Sequence, residues 1–246
     1  MKKVVLVTGS NRGIGSSCIK AFAEAGYNVI INYCHHEKEA YELEKEIKEK
    51  YDIDVLTIKC DVSKEEEVEA MTNKIIDTFG TVDILVNNAA VARDSLLLDK
   101  NIKEFKRVLD VNLIGTYLVS KYIGRVMLDS KKGKIINISS TNAIDTYYPE
   151  SCDYDASKAG VISLTHNFAR EFAPFINVNC ILPGWVKTPM NKDLSLEQIE
   201  KEKRRILLNR FAKPEEIASL VLFLASSKAD YINDSIIRID GGKYND

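Results

Sequence analysis

Short apolar runs alternate with longer charged segments of helical period along all 246 residues, and this alternation constrains the fold more than any single motif. Runs of strand length fall at Lys3–Thr8, Asn28–Tyr33, Asp54–Lys59, Val82–Asn87, Lys134–Ile138, Ile176–Leu182 and Ser235–Ile239. Val-Val-Leu-Val in the first and Ile-Leu-Val in the fourth leave no polar side for water, which suits parallel strands covered on both faces. Helix signals occupy the intervals. Glu37–Tyr51 sets Ala40, Leu43 and Ile47 on one face amid Glu and Lys, a solvated amphipathic helix. Ser63-Lys64-Glu65-Glu66 reads as a capping box opening a helix to Phe79, with Gly80 as its stop. Pro214 suits the first turn of a helix running through Leu224. The order β-α-β-α predicts an α/β fold: one doubly wound parallel sheet in a single domain, residues 1–246. The polar stretch Trp185–Lys213, with no clear periodicity, is expected to be a substrate lid beyond the strand ends.

Charge and cysteine usage narrow the function classes. A formal net charge of −2 provides no field for nucleic acid or an anionic membrane surface, so small-molecule partners are expected. No run reaches the ~20 apolar residues of a membrane helix, and the first apolar run is too short for a signal peptide. A cytoplasmic protein is the expectation. Cys18, Cys34, Cys60, Cys152 and Cys180 are scattered, odd in number and without a CxxC pair, which suggests reduced thiols. The three histidines, His35, His36 and His166, offer little support for a metal site, and none is expected.

Two motifs carry chemistry. Thr8-Gly9-Ser10-Asn11-Arg12-Gly13-Ile14-Gly15 ends the first strand and opens a helix. Glycines there let the backbone approach a pyrophosphate, and the helix N-terminus stabilises its charge. The spacing Gly-x3-Gly-x-Gly differs from the dinucleotide fingerprint Gly-x-Gly-x-x-Gly. Further on, Tyr154 and Lys158 lie four residues apart, one above the other on a helix face. A neighbouring ammonium favours phenolate, which would draw the tyrosine down toward the working pH as an acid/base catalyst.

Thr8–Gly15, Asn87-Asn88-Ala89, Asn112, Ser139-Ser140, Tyr154/Lys158 and Pro183-Gly184 occur in order at strand ends, and together they resemble the short-chain dehydrogenase/reductase family across the whole chain. The resemblance implies a Rossmann-type sheet of seven strands in the order 3-2-1-4-5-6-7. It implies Tyr154 as the catalytic acid/base, and Lys158 lowering its pKa and holding the nicotinamide ribose. Ser140 would bond the substrate oxygen, and Asn112 would support a water and Lys158 in a proton relay. The family's usual serine–tyrosine interval of thirteen residues would select Thr141. Alignment on Ile-Asn-Ile-Ser-Ser selects Ser140, with one extra loop residue, and the strand is the better guide to geometry.

For the cofactor, the same resemblance implies Gly9, Asn11, Arg12, Gly13, Ile14 and Gly15 at the pyrophosphate. Asp61 and Val62 would meet the adenine, with Asn87, Asn88 and Ala89 at the adenosine ribose. Ala90 stands where the family usually has glycine. Pro183, Gly184, Val186 and Thr188 would hold the carboxamide. Tyr33 occupies the family's acidic position at the end of the second strand, and Arg12 in the glycine-rich turn would reach a 2′-phosphate with a charge-assisted bond, so NADP(H) is expected ahead of NAD(H). Arg210-Phe211 before Pro214-Glu215-Glu216, and the ending Ile239-Asp240-Gly241-Gly242, resemble 3-oxoacyl-acyl-carrier-protein reductases of fatty acid biosynthesis. Lys131 and Lys132 would suit an acidic carrier protein, whereas Pro174-Phe175 stands where those reductases often place a basic residue. Sugar, polyol or small-ketone dehydrogenases of the family, and a cofactor-binding regulator without turnover, remain as alternatives. A homotetramer is implied, pairing the helices Asn101–Asp129 and Tyr154–Ala173 across one interface and the C-terminal strand across another, with Val161, Leu164 and Phe168 as apolar positions beyond one face.

Overall fold

The computed structural model describes residues 2–145, 148–191 and 194–242. Its seven strands are β1 (Val4–Val7), β2 (Asn28–Tyr33), β3 (Val55–Lys59), β4 (Ile84–Asn87), β5 (Gly133–Ile138), β6 (Ile176–Pro183) and β7 (Ile236–Ile239). They form one sheet in the order β3-β2-β1-β4-β5-β6-β7, and every pairing is parallel. β1, β2 and β4 are buried throughout, as expected of apolar runs covered on both faces.

The helices are α1 (Gly13–Glu24), α2 (Glu37–Lys50), α3 (Glu65–Phe79), α4 (Ile102–Leu109), α5 (Gly115–Asp129), α6 (Cys152–Glu171), α7 (Leu196–Arg204) and α8 (Pro214–Ala225). One apolar layer joins α1, α2 and α8 to the sheet through Ile19, Phe22, Ile47 and Val221. The opposite layer gathers Val68, Ile75, Val119, Ile123 and Phe168 from α3, α5 and α6. Since β1 pairs with both β2 and β4, successive connections leave in opposite directions there, and a crevice opens beyond the carboxyl ends of β1 and β4.

Three local expectations need correcting. Ser63 does not cap α3: its hydroxyl donates to Asp61 Oδ1 at 2.7 Å, and the N-cap residue Lys64 makes no side-chain capping bond. The helix expected over 101–129 is interrupted by a π turn at Asp110–Ile114, which holds Asn112. The segment 185–213, expected to be a lid, is partly regular. It contains α7, opened by a reciprocal capping box between Ser195 and Gln198, while Lys192 and Asp193 lie outside the described residues. Trp185 stacks on Phe211 at 5.3 Å and donates through Nε1 to Glu202 Oε2 at 3.2 Å, tying α7 to the start of this segment. No described helix is long and apolar enough to cross a membrane.

Candidate active site

The glycine-rich turn is held in place by hydrogen bonds from two neighbouring strands. Gly9 N–H donates to Asn32 Oδ1 at 3.0 Å, and Asn32 Nδ2 donates to the Cys60 carbonyl at 3.2 Å. Thr8 Oγ1 accepts the amides of Asn88 and Ala89, each at 3.0 Å, and Asn88 Nδ2 donates to the carbonyls of Thr8 and Gly9. The backbone passes so close that a Cβ on Gly9, at φ 59°, would lie 2.8 Å from Ala89 Cα. A Cβ on Gly15 would lie 2.6 Å from Asn88 Nδ2. Thr188 comes over the turn, 3.6 Å from where a Gly13 Cβ would stand. Val186 bridges to Ala212, and Gly184 N–H donates to the Ile239 carbonyl at 3.1 Å, fixing the backbone that follows β6.

α1 begins with no side-chain cap and no acidic residue in its first turn, so its first amides are open to an anion. Ile14 packs partly buried against the core, and Arg12 is exposed with no ion pair among the described residues. Asn11 Nδ2 donates to the carbonyls of His35 and His36, joining this turn to the end of β2. The residues present fit a dinucleotide: a close glycine cradle, an uncapped helix start and a free guanidinium.

Tyr33 differs from the expected picture. It is 2% exposed, sits in the core beneath α2, and donates its hydroxyl to Glu37 Oε1 at 2.7 Å. Its side chain therefore faces the interior, and no carboxylate replaces it at that position. Asp61 is also more engaged than a simple adenine contact requires. Its carboxylate takes Ser63 N–H at 3.1 Å and Arg107 Nη2 at 2.9 Å, and these bonds hold its pKa below the ordinary value against the cost of burial. Val62 is buried and packs where a Gly115 Cβ would lie 2.7 Å from its Cγ2.

Ser140, Tyr154 and Lys158 converge at the ends of β5 and α6. Ser140, just past β5, hydrogen-bonds the Tyr154 phenol and also accepts the Asn142 amide at 3.2 Å. Thr141 begins the following 3-10 turn and is buried. Lys158 Nζ lies 5.6 Å from the Tyr154 ring centroid and donates to the Ile138 carbonyl at 2.8 Å. Burial dominates both groups: it pushes the Tyr154 phenol up to about 12, with the Ser140 bond opposing, and the Lys158 ammonium down to about 8. The tyrosine is thus raised where a lowering was expected, because desolvation outweighs the Ser140 hydrogen bond and the nearby carboxylates of Asp155 and Asp94 act in the same direction.

Asn112 is fully buried, and its side chain is spent on structure. Oδ1 accepts Val91 N–H at 2.8 Å, while Nδ2 donates to the Val91 carbonyl at 2.9 Å and to Ser157 Oγ at 3.0 Å. It clamps the loop after β4 to α6, and among the described residues no hydrogen bond joins its side chain directly to Lys158. Asn87, expected at the adenosine ribose, instead spends its side-chain amide on a buried polar chain. Asn87 donates to Ser120 Oγ and to Asn137 Oδ1, and Asn137 donates to Thr165 Oγ1 at 2.9 Å. These polar side chains sit in otherwise apolar strand and helix patterns, the one signal that could have marked them.

Comparisons agree with this geometry. A family model described as enoyl-(acyl carrier protein) reductase matches residues 9–244. The 3-oxoacyl-[acyl-carrier-protein] reductase of Staphylococcus aureus strain Mu50 is 41% identical over 246 residues, covering 99% of each chain. That of Aquifex aeolicus is 39% identical over 243 residues, covering 98% of this chain and 97% of its own. Among solved structures, levodione reductase superposes with a TM-score of 0.93 at 29% identity, over 98% of this chain and 96% of that one. A gluconate 5-dehydrogenase from Burkholderia cenocepacia, in complex with NADP and tartrate, gives 0.91 at 30% identity, over 98% and 95%.

Proposed function

The chain belongs to the short-chain dehydrogenase/reductase family of oxidoreductases, and from that premise we propose that it reduces 3-oxoacyl thioesters carried on acyl carrier protein, with NADPH. The observation that carries the reading is likeness along the whole chain, at 41% and 39% identity, to two reductases of that name, combined with the Ser140–Tyr154–Lys158 cluster. The hydride comes from the nicotinamide when the cofactor is bound. Ser140 orients the substrate carbonyl, and Tyr154 Oη gives its proton to the carbonyl oxygen as negative charge develops there. Lys158, charged below about pH 8, stabilises the tyrosinate left behind. The glycine turn and the first amides of α1 hold the pyrophosphate, and Arg12 binds the 2′-phosphate. Asp61, Val62, Asn88 and Ala89 line the adenosine side, and Pro183, Gly184, Val186 and Thr188 the nicotinamide side.

A homotetramer in the cytoplasm completes the reading. Val161 and Phe168 are core residues, at 1% and 9% exposure, so they cannot form the interface. The outward apolar positions of the π turn and α5 are Ile114 and Tyr117, with Leu164 of α6 beside them. A small-ketone or polyol substrate is the competing reading, favoured by the superposition on levodione reductase and gluconate 5-dehydrogenase and by Pro174-Phe175 in place of a basic residue. Turnover of acetoacetyl-acyl-carrier protein and acetoacetyl-CoA against a ketone and polyol panel separates them. A kcat/KM for the carrier-bound thioester at least ~10-fold above the panel is expected, a margin of ~1.4 kcal/mol. A panel compound that outperforms the thioesters overturns the substrate assignment.

A further inference from the structure

A buried ion pair lies immediately beside the catalytic tyrosine. Lys100 Nζ is 3.1 Å from Asp153 Oδ1, and the two side chains are 3% and 0% exposed. An ammonium has three N–H groups to place. Besides Asp153, Lys100 donates to the Glu150 carbonyl at 3.2 Å and to the Arg93 carbonyl. Its partners thus belong to three segments: the loop after β4, the 3-10 turn Pro149–Ser151, and the first turn of α6. Ser95 N–H also donates to the Glu150 carbonyl at 3.1 Å, so the loop and the turn are joined twice. Asp153 Oδ1 accepts the backbone N–H of Tyr154 itself at 2.9 Å. Its Oδ2 has no hydrogen-bond partner among the described residues, which leaves Lys100 to offset a carboxylate buried beside the acid/base.

Burying two charges is costly, and apolar residues of similar volume often serve stability as well or better. What apolar residues cannot supply is a directed link among three backbone segments. We propose that Lys100 and Asp153 are positioning residues: the pair holds the loop at 93–100 against the start of α6 and so fixes where Tyr154 meets the substrate carbonyl. The inference rests on Tyr154 being the proton donor. Its test is the double variant Lys100→Met/Asp153→Asn, which removes both charges without stranding either. Thermal melting close to wild type is expected, with NADPH affinity within twofold. With the best carbonyl substrate of the panel, kcat should fall on the order of tenfold to a hundredfold, the scale of a small misplacement in a reacting pair. Wild-type kcat in a normally melting double variant, beside an inactive Tyr154→Phe, overturns the positioning role alone. An active Tyr154→Phe overturns the catalytic reading on which it rests. Should the double variant not fold, Asp153→Asn alone decides, since it keeps an acceptor for Lys100. Faster amide exchange at 93–100 with a lower kcat supports the role; unchanged exchange and unchanged kcat refute it.

Discussion

Replacing Arg12 with alanine separates cofactor choice from folding, because the structure gives the side chain nothing to do in the fold. Arg12 is exposed, has no ion pair among the described residues, and as the N-cap residue of α1 contributes no side-chain bond. The substitution should therefore leave stability within the ±0.5 kcal/mol usual for surface changes. Toward a 2′-phosphate the guanidinium would make a charge-assisted hydrogen bond, a contribution of roughly 1.5–3 kcal/mol. At ~1.4 kcal/mol per decade, Arg12→Ala should raise the NADPH dissociation constant on the order of tenfold to a hundredfold. NADH lacks the phosphate, so its constant should move less than about threefold, within ~0.7 kcal/mol. Exposure also makes the contact salt-sensitive, and the gap between the two cofactors should narrow as ionic strength rises. Fluorescence titration of both cofactors, at two salt concentrations, against wild type and variant is the assay. Equal weakening of NADH and NADPH would refute the phosphate role, and tighter binding of NADH by the wild type would refute the NADP(H) assignment itself. Tyr33→Asp is a poorer probe than its sequence position suggests, since it would bury a carboxylate beside Glu37.

Gly9→Ala would put a methyl group 2.8 Å from Ala89 Cα at a φ of 59°, so NADPH affinity should drop at least ~10-fold while distant binding surfaces are untouched; calorimetric titration checks it. Thr8→Val leaves the Asn88 and Ala89 amides without their shared acceptor, and at ~1–3 kcal/mol for each unsatisfied group the loss should be readable by urea denaturation as a lower midpoint. With Lys158 lowered to about 8 and Tyr154 raised to about 12, the reducing direction needs both groups protonated. Its kcat/KM should be level below about pH 8 and decline above it, and a flat pH–rate profile to pH 10 would contradict the lysine's part.

The sheet was legible because its strands are apolar enough to have no other place to go. β2 matches its expected run, Asn28–Tyr33, residue for residue. Tyr154 and Lys158 stood out in sequence because helical spacing puts them on one face and the ordered motifs on either side of them resemble the family's. α7 was missed for a physical reason: Leu196-Glu-Gln-Ile-Glu-Lys-Glu-Lys-Arg buries only Glu202, so it has almost no apolar stripe, and only the Ser195–Gln198 pair marks its start. Ser63 was misread because local pattern cannot tell which acceptor a serine chooses, and Asp61 lies two residues away. Asn112 was placed at the site, but its partner Val91 is twenty-one residues distant and invisible to spacing. The pair Lys100 and Asp153 looks like two ordinary surface charges in sequence, and only the chain's return brings them together out of water.

Tyr154→Phe tests the central claim most directly, because it removes one oxygen and little else. NADPH affinity, measured by fluorescence titration, should stay within about twofold, since the ring and Lys158 remain. Turnover in the reducing direction should fall ~10²–10⁴-fold, the range for loss of a positioned general acid. A variant that binds NADPH normally and turns over within threefold of wild type would remove Tyr154 from the mechanism.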